Sequence, residues 1–264
     1  MAVLGTTPRP SPATPGVFTA ASAVVALLLA AVGSGAFGGT PVASAAGGYF
    51  SSVATPLAPG VPAFSVWSVI YAGLLGYAVW QLLPAARRSQ RQGRIRPWAA
   101  ASMLLNAAWL WAVQLGSVPA SLAIMLALLG VLSRIFALSL SLRPGSRLEA
   151  ALSDVTFGLY LGWICVATVA NVAALLAWAK VSLPAEPTAA VVLLLTAAVG
   201  LALGSRGRWS PVLALAWGLA WIAVARAGGP LALPGVALEA TAAAAAVLGG
   251  SLAFAARRRW EGRA

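Results

Sequence analysis

Tyr160, Trp163, Ala167 and Asn171 follow one another at intervals of three, four and four residues inside LYLGWICVATVANVAALL (159–176), which on a helix sets them in one stripe on one face. An asparagine in an apolar stripe needs a hydrogen-bond partner, and a small alanine between larger neighbours leaves room beside it. Either another helix or a ligand meets that face. FSVWSVIY (64–71) spaces Phe64, Trp67 and Tyr71 three and four apart, and LLNAAWLW (104–111) puts Asn106 and Trp109 one turn apart. All three segments offer aromatic rings and two offer a carboxamide, a set suited to an apolar pocket for a flat hydrophobic ligand. The same spacing also serves plain helix packing, with amides bonding across helices and indoles filling space. Spacing alone leaves both readings open.

Other chemistry is thin. The chain has no histidine and one cysteine, Cys165, which excludes His-ligated haem, His-containing zinc sites, His-based triads and an intramolecular disulfide. Cys165 lies in an apolar run and reads as a small packing residue. No nucleophile, base and acid set is present, so the expectation is a protein that is not an enzyme, with no catalytic residue and no metal site.

The elements that must position these residues follow from composition. Hydrophobic residues make up 61% of the 264 and charged residues only 8%, far from a soluble average. Apolar runs of about 20 residues, the length of one bilayer crossing, come in close succession. Eight spans are expected, over 17–37, 63–83, 98–115, 119–142, 155–179, 188–203, 209–225 and 236–256. The fold class is therefore all-α, a polytopic transmembrane helix bundle of about eight helices. Prolines fall outside these spans or in their first turns. The sixth and seventh spans are short enough to leave a re-entrant pair open. Small-residue pairs at Gly158/Gly162, Gly200/Gly204 and Ala72/Gly76 suit close helix packing.

Lys and Arg outnumber Asp and Glu 17 to 5, which in a soluble chain would suggest nucleic acid; here the bases lie in short loops and encode orientation. With the N-terminus in the cytoplasm, the inner segments hold Arg9, Arg87, Arg88, Arg91, Arg94, Arg96, Arg143, Arg147, Arg206, Arg208, Arg257, Arg258, Arg259 and Arg263, against Lys180 and Arg226 outside. Both termini are thus expected in the cytoplasm of a cell-membrane protein. Arg134 lies inside the fourth span, where it either snorkels to the headgroups or pairs a ligand carboxylate. No Asp or Glu sits deep in a span, since Asp154 and Glu239 fall at helix starts, which argues against a proton-coupled pump. Trp98, Trp178 and Trp260 read as interfacial anchors. The first span with Ala43–Ala45 also resembles a cleavable signal, although the charge pattern works best with it retained.

On the three blocks FSVWSVIY, LLNAAWLW and LYLGWICVATVANVAAL, in that order on the second, third and fifth spans, the chain resembles the tryptophan-rich sensory protein, or translocator protein (TspO/MBR), family. The resemblance covers 17–179. It implies a five-helix bundle whose pocket binds a tetrapyrrole such as protoporphyrin or haem, with no cofactor required. Trp67, Asn106, Trp109, Trp163 and Asn171 match motif positions that line or support that pocket, with Phe64, Tyr71 and Ala167 adjacent. The chain departs from the compact form by adding three spans and by lacking a Trp-Pro-Pro pattern in the loop 40–64. No aromatic-then-basic sterol motif follows the fifth span, which argues against cholesterol.

The expected organisation is a Pro-rich disordered leader 1–16, a five-helix bundle 17–179, three further helices 180–256 and a basic tail 257–264. The expected function is a non-enzymatic membrane sensor or regulator binding a porphyrin-like or other flat hydrophobic ligand. The alternative is a carrier or permease component for a small hydrophobic compound. The expected partners are that ligand and the lipid bilayer, without nucleic acid and with a homodimer left open.

Overall fold

The computed structural model describes residues 21–22 and 40–261; the 1–16 leader and all but two residues of the first expected span lie outside the described residues. Seven long helices follow: α1 Val66–Trp80, α2 Gln90–Gln114, α3 Val118–Ser141, α4 Thr156–Trp178, α5 Ala185–Gly204, α6 Trp209–Ala227 and α7 Pro234–Glu261. Six of the seven, all but α2, are long and apolar enough to cross a membrane, α1 when taken together with the 3-10 turn Val61–Ser65 that leads into it. The exception is α2, whose first turns carry Arg91, Arg94 and Arg96. No strand occurs among the described residues.

Local signals place the ends. Ser89 caps α2, its hydroxyl accepting from the Gln92 amide at 3.2 Å. Gly116 and Gly207 take left-handed φ of 73° and 74° in the tight turns between α2 and α3 and between α5 and α6. Successive helices therefore run antiparallel. Their connections sort into an arginine-rich end and an opposite end, which carries the loop before α1.

Three boundaries differ from the sequence expectation. α2 begins eight residues before 98 and runs through Pro97, which the sequence placed just ahead of the third span. The chain is already helical from Arg147, through one turn at Arg147–Glu149 and a wide π-helical turn at Ala150–Val155. Asp154 therefore lies inside a continuous helical stretch rather than at its start. Helices α5 and α6, with 20 and 19 residues, each rise about 30 Å, a full crossing, so they are not a re-entrant pair.

Two apolar clusters share α4. One joins α1, α2, α3 and the face of α4 that carries Tyr160, Trp163 and Ile164; the other joins α5, α6, α7 and the opposite face of α4 at Val166. Glycines let the backbones approach. A Cβ on Gly162 would lie 2.1 Å from the Pro211 carbonyl oxygen, and one on Gly204 would lie 2.0 Å from Ser251 Oγ. Between lipid-immersed helices such contact, rather than water exclusion, supplies the attraction. Helix α6 thus packs directly on α4, and α7 packs on α5 and α6 rather than on α4.

The arginine-rich end is tied by a buried polar network. Asp154 pairs with Arg91 and, at 3.0 Å, with Arg208; Glu149 accepts from Arg91 at 3.2 Å and from Gln92 at 2.7 Å. Gln92 in turn accepts from Tyr77 Oη and from Gln81 Nε2, which brings in α1 and the residue after it. One cluster so joins α1, α2, the lead into α4 and the lead into α6.

Candidate functional site: an aromatic cavity under a loop

At the opposite end, α1, α2 and α4 stand apart, and residues 41–61 cross the gap. Two adjoining cavities lie beneath. The larger, of about 380 Å³, is lined by Phe64, Trp67, Tyr71, Asn106 and Trp109, with Val42 and Phe50 from the loop. The smaller, of about 50 Å³, shares Phe64, Trp67 and Trp109 and adds Trp163, Ala167, Asn171, Met125 and Thr55. Phe64, Trp67, Tyr71, Asn106, Trp109, Trp163, Ala167 and Asn171 each line one cavity or both, whereas Tyr160 of the same stripe lines neither.

The rings interlock. Trp67 stacks on Tyr71 with centroids 5.0 Å apart, and meets Trp163 edge-on at 6.3 Å. Phe64 meets Trp163 edge-on at 5.5 Å, and Phe50 from the loop does the same to Trp109 at 6.2 Å. Tyr160, on the same stripe, instead donates to the Ser102 carbonyl at 3.2 Å and belongs to the helix contact.

The polar groups divide into satisfied and unsatisfied. Asn106 Nδ2 donates to Tyr71 Oη at 3.0 Å. Asn171 Oδ1 lies 3.1 Å from Ser121 Oγ, whose single hydrogen also has the Val118 carbonyl at 2.8 Å. The amide can serve that hydroxyl with either atom, and the other, Nδ2 as placed, has no partner. Trp109 and Trp163 are 8% and 1% exposed, and neither indole N–H has an acceptor. Thr55 Oγ1 is also buried and unpartnered. Four unpaired polar atoms thus belong to residues around the same small cavity, each costing about 1–3 kcal/mol while it stays unmade.

Other cavities have a different character. Voids of about 290 and 510 Å³ lie against α4 and α5, the second reaching α3 and Cys165. Thr168 and Thr196 there donate within their own helices, to Ile164 O and Val192 O, both at 2.7 Å. Both voids are apolar grooves without an unmet demand, apart from the shared Thr55. Arg134 is exposed on α3, as a snorkelling side chain requires.

Sequence reasoning missed two features. Arg226, expected in a solvated loop, is 1% exposed on α6 and donates to main-chain carbonyls of the loop. The ion network around Asp154 also escaped it, because pairing across four segments has no local spacing.

A bundle of apolar helices, six of them long enough to cross a bilayer among the described residues, defines an integral membrane protein, here with an aromatic, amide-bearing cavity at one end. The sequence model of the TSPO-like protein family matches residues 17–253, and the chain belongs to that family. The match runs through α6 and into α7, past the 179 boundary of the resemblance seen in the sequence blocks. Neither a curated protein nor a solved structure matches the chain.

Proposed function

We propose that this membrane protein is a non-enzymatic sensor that binds a flat, hydrophobic, acceptor-bearing ligand, of which a tetrapyrrole such as protoporphyrin or haem is the type, in the cavity between α1, α2 and α4. The observation that carries the reading is the pair of buried, unpartnered indole N–H groups of Trp109 and Trp163 at an aromatic-lined cavity. Indole is a donor only, so an acceptor on the ligand is what answers it. Rings stacking on Trp67 and Tyr71 and an acceptor group near Trp163 and Asn171 would orient such a molecule.

The larger cavity lies toward the low end of the roughly 300–1,000 Å³ typical of ligand sites. A ligand as broad as a tetrapyrrole therefore requires the covering loop to rise. Helix α1 carries Trp67 and Tyr71 at the cavity and Tyr77 in the polar network, so occupancy has a direct mechanical route to the arginine-rich end. That end faces the cytoplasm of a cell membrane in this reading, by the excess of Arg there. Signalling further requires that the ligand bind one arrangement of the bundle more tightly than another.

The test is a titration of protoporphyrin IX into the purified protein, followed by tryptophan quenching, beside the Trp163→Phe/Asn171→Ala double variant. Saturable quenching that weakens at least about tenfold in the variant supports the site. Equal, non-saturating quenching in both returns the aromatic face to helix packing.

A further inference from the structure

The loop over the aromatic cavities is fastened to α6, a helix that lines neither of them. Arg226 Nη1 donates to the Thr55 carbonyl at 3.3 Å and Nη2 donates to the Ser52 carbonyl. Two contacts continue the seam: the Gly60 amide donates to the Trp221 carbonyl at 3.1 Å, and Trp217 Nε1 donates to the Ala63 carbonyl at 3.0 Å. Gly60 lies in close van der Waals range of α6, a Cβ built on it falling 3.4 Å from the Trp221 ring and 3.6 Å from Ala225.

The charge on Arg226 makes this seam conditional. No carboxylate among the described residues pairs with it, and Nε has no partner. A guanidinium removed from water without a counter-ion is costly, and here its compensation is the two loop carbonyls alone. It is satisfied only while residues 52–55 lie against α6. The same residues bring Thr55, whose hydroxyl is unpartnered, to the wall of the small cavity.

We infer that Arg226 is a positioning residue for the ligand site, a latch that holds the covering loop on α6, so that ligand exchange waits on its release and the last three helices set how fast the pocket loads and empties. The fastening stands on geometry alone; its effect on ligand exchange rests on the ligand site proposed above.

The experiment compares the full chain in lipid nanodiscs with Arg226→Gln, Arg226→Lys and Trp217→Phe. Amide hydrogen exchange over 49–60 reports the latch with no ligand present. Arg226→Gln is expected to speed exchange there by at least about tenfold with α3 unchanged, and Trp217→Phe by less. Arg226→Lys, which keeps the charge but loses the planar fork, falls between. Stopped-flow quenching by protoporphyrin IX then reads the consequence: association and dissociation both accelerate in Arg226→Gln, while Kd moves less than either rate. Should Arg226→Gln not fold, the lysine and Trp217→Phe variants carry the same comparison. Unchanged loop exchange in the folded variants overturns the latch, and faster loop exchange with unaltered ligand rates overturns its control of the pocket. Faster loop exchange in a protein that never binds protoporphyrin saturably leaves the fastening in place and sinks the ligand reading.

Discussion

Trp109, Trp163 and Asn171 are the helix residues at the aromatic cavities that keep a buried polar atom unmet. Trp163→Phe separates ring from donor: it retains the aromatic surface, so protoporphyrin affinity is expected to fall only about fivefold, the worth of one hydrogen bond. Trp163→Ala and Asn171→Ala are each expected to weaken binding further while membrane insertion, read by detergent gel filtration, is retained. Normal affinity in both folded alanine variants would remove them from the site. These residues were legible as a stripe because helical spacing is local. Their lack of partners was not, since it depends on what the other helices bring.

At the scale of helices, α4 is the shared wall, and its contact with α6 depends on absent side chains. Gly162→Ala would place a methyl group against the Pro211 backbone, which cannot rotate away, at an expected cost of about 1–3 kcal/mol. A clear drop in Tm in detergent checks it; an unchanged Tm would mean that the helices part without penalty. The opposite end offers a second test. Asp154→Asn would leave Arg208 without a carboxylate and Arg91 with Glu149 alone, at an expected cost of about 1–3 kcal/mol. Thermal unfolding measures that as well, and full stability in the variant would show the network to be replaceable by solvent. The small-residue motifs announced the first contact. Nothing in the sequence announced the second, because the π-helical turn at Ala150–Val155 is what brings Glu149 and Asp154 onto Arg91.

For the whole molecule, the last three helices are part of one packed body with α4 and with the loop before α1. Leu57 of that loop is buried in the α5–α7 cluster, and Arg226 and Trp217 hold its backbone. A chain ending at Ala179 is therefore expected to insert yet to bind protoporphyrin at least about tenfold more weakly than the full chain, with the loop amides exchanging freely. Full-length affinity in the shortened chain would make the pocket independent of the added helices.

Hydropathy marked the apolar stretch of each of the seven long helices among the described residues, because a lipid-facing stretch must be apolar whatever it packs against, but it missed the arginine-bearing first turns of α2. Residue spacing determined which aromatic and amide side chains share a face, and glycine spacing marked where backbones approach. Only the tertiary structure decided that three faces converge on one cavity, that two indoles there lack acceptors and that a buried arginine from a distant helix holds the loop above them. Those facts rest on contacts between residues far apart in the chain, and periodicity within a helix carries no information about its neighbours.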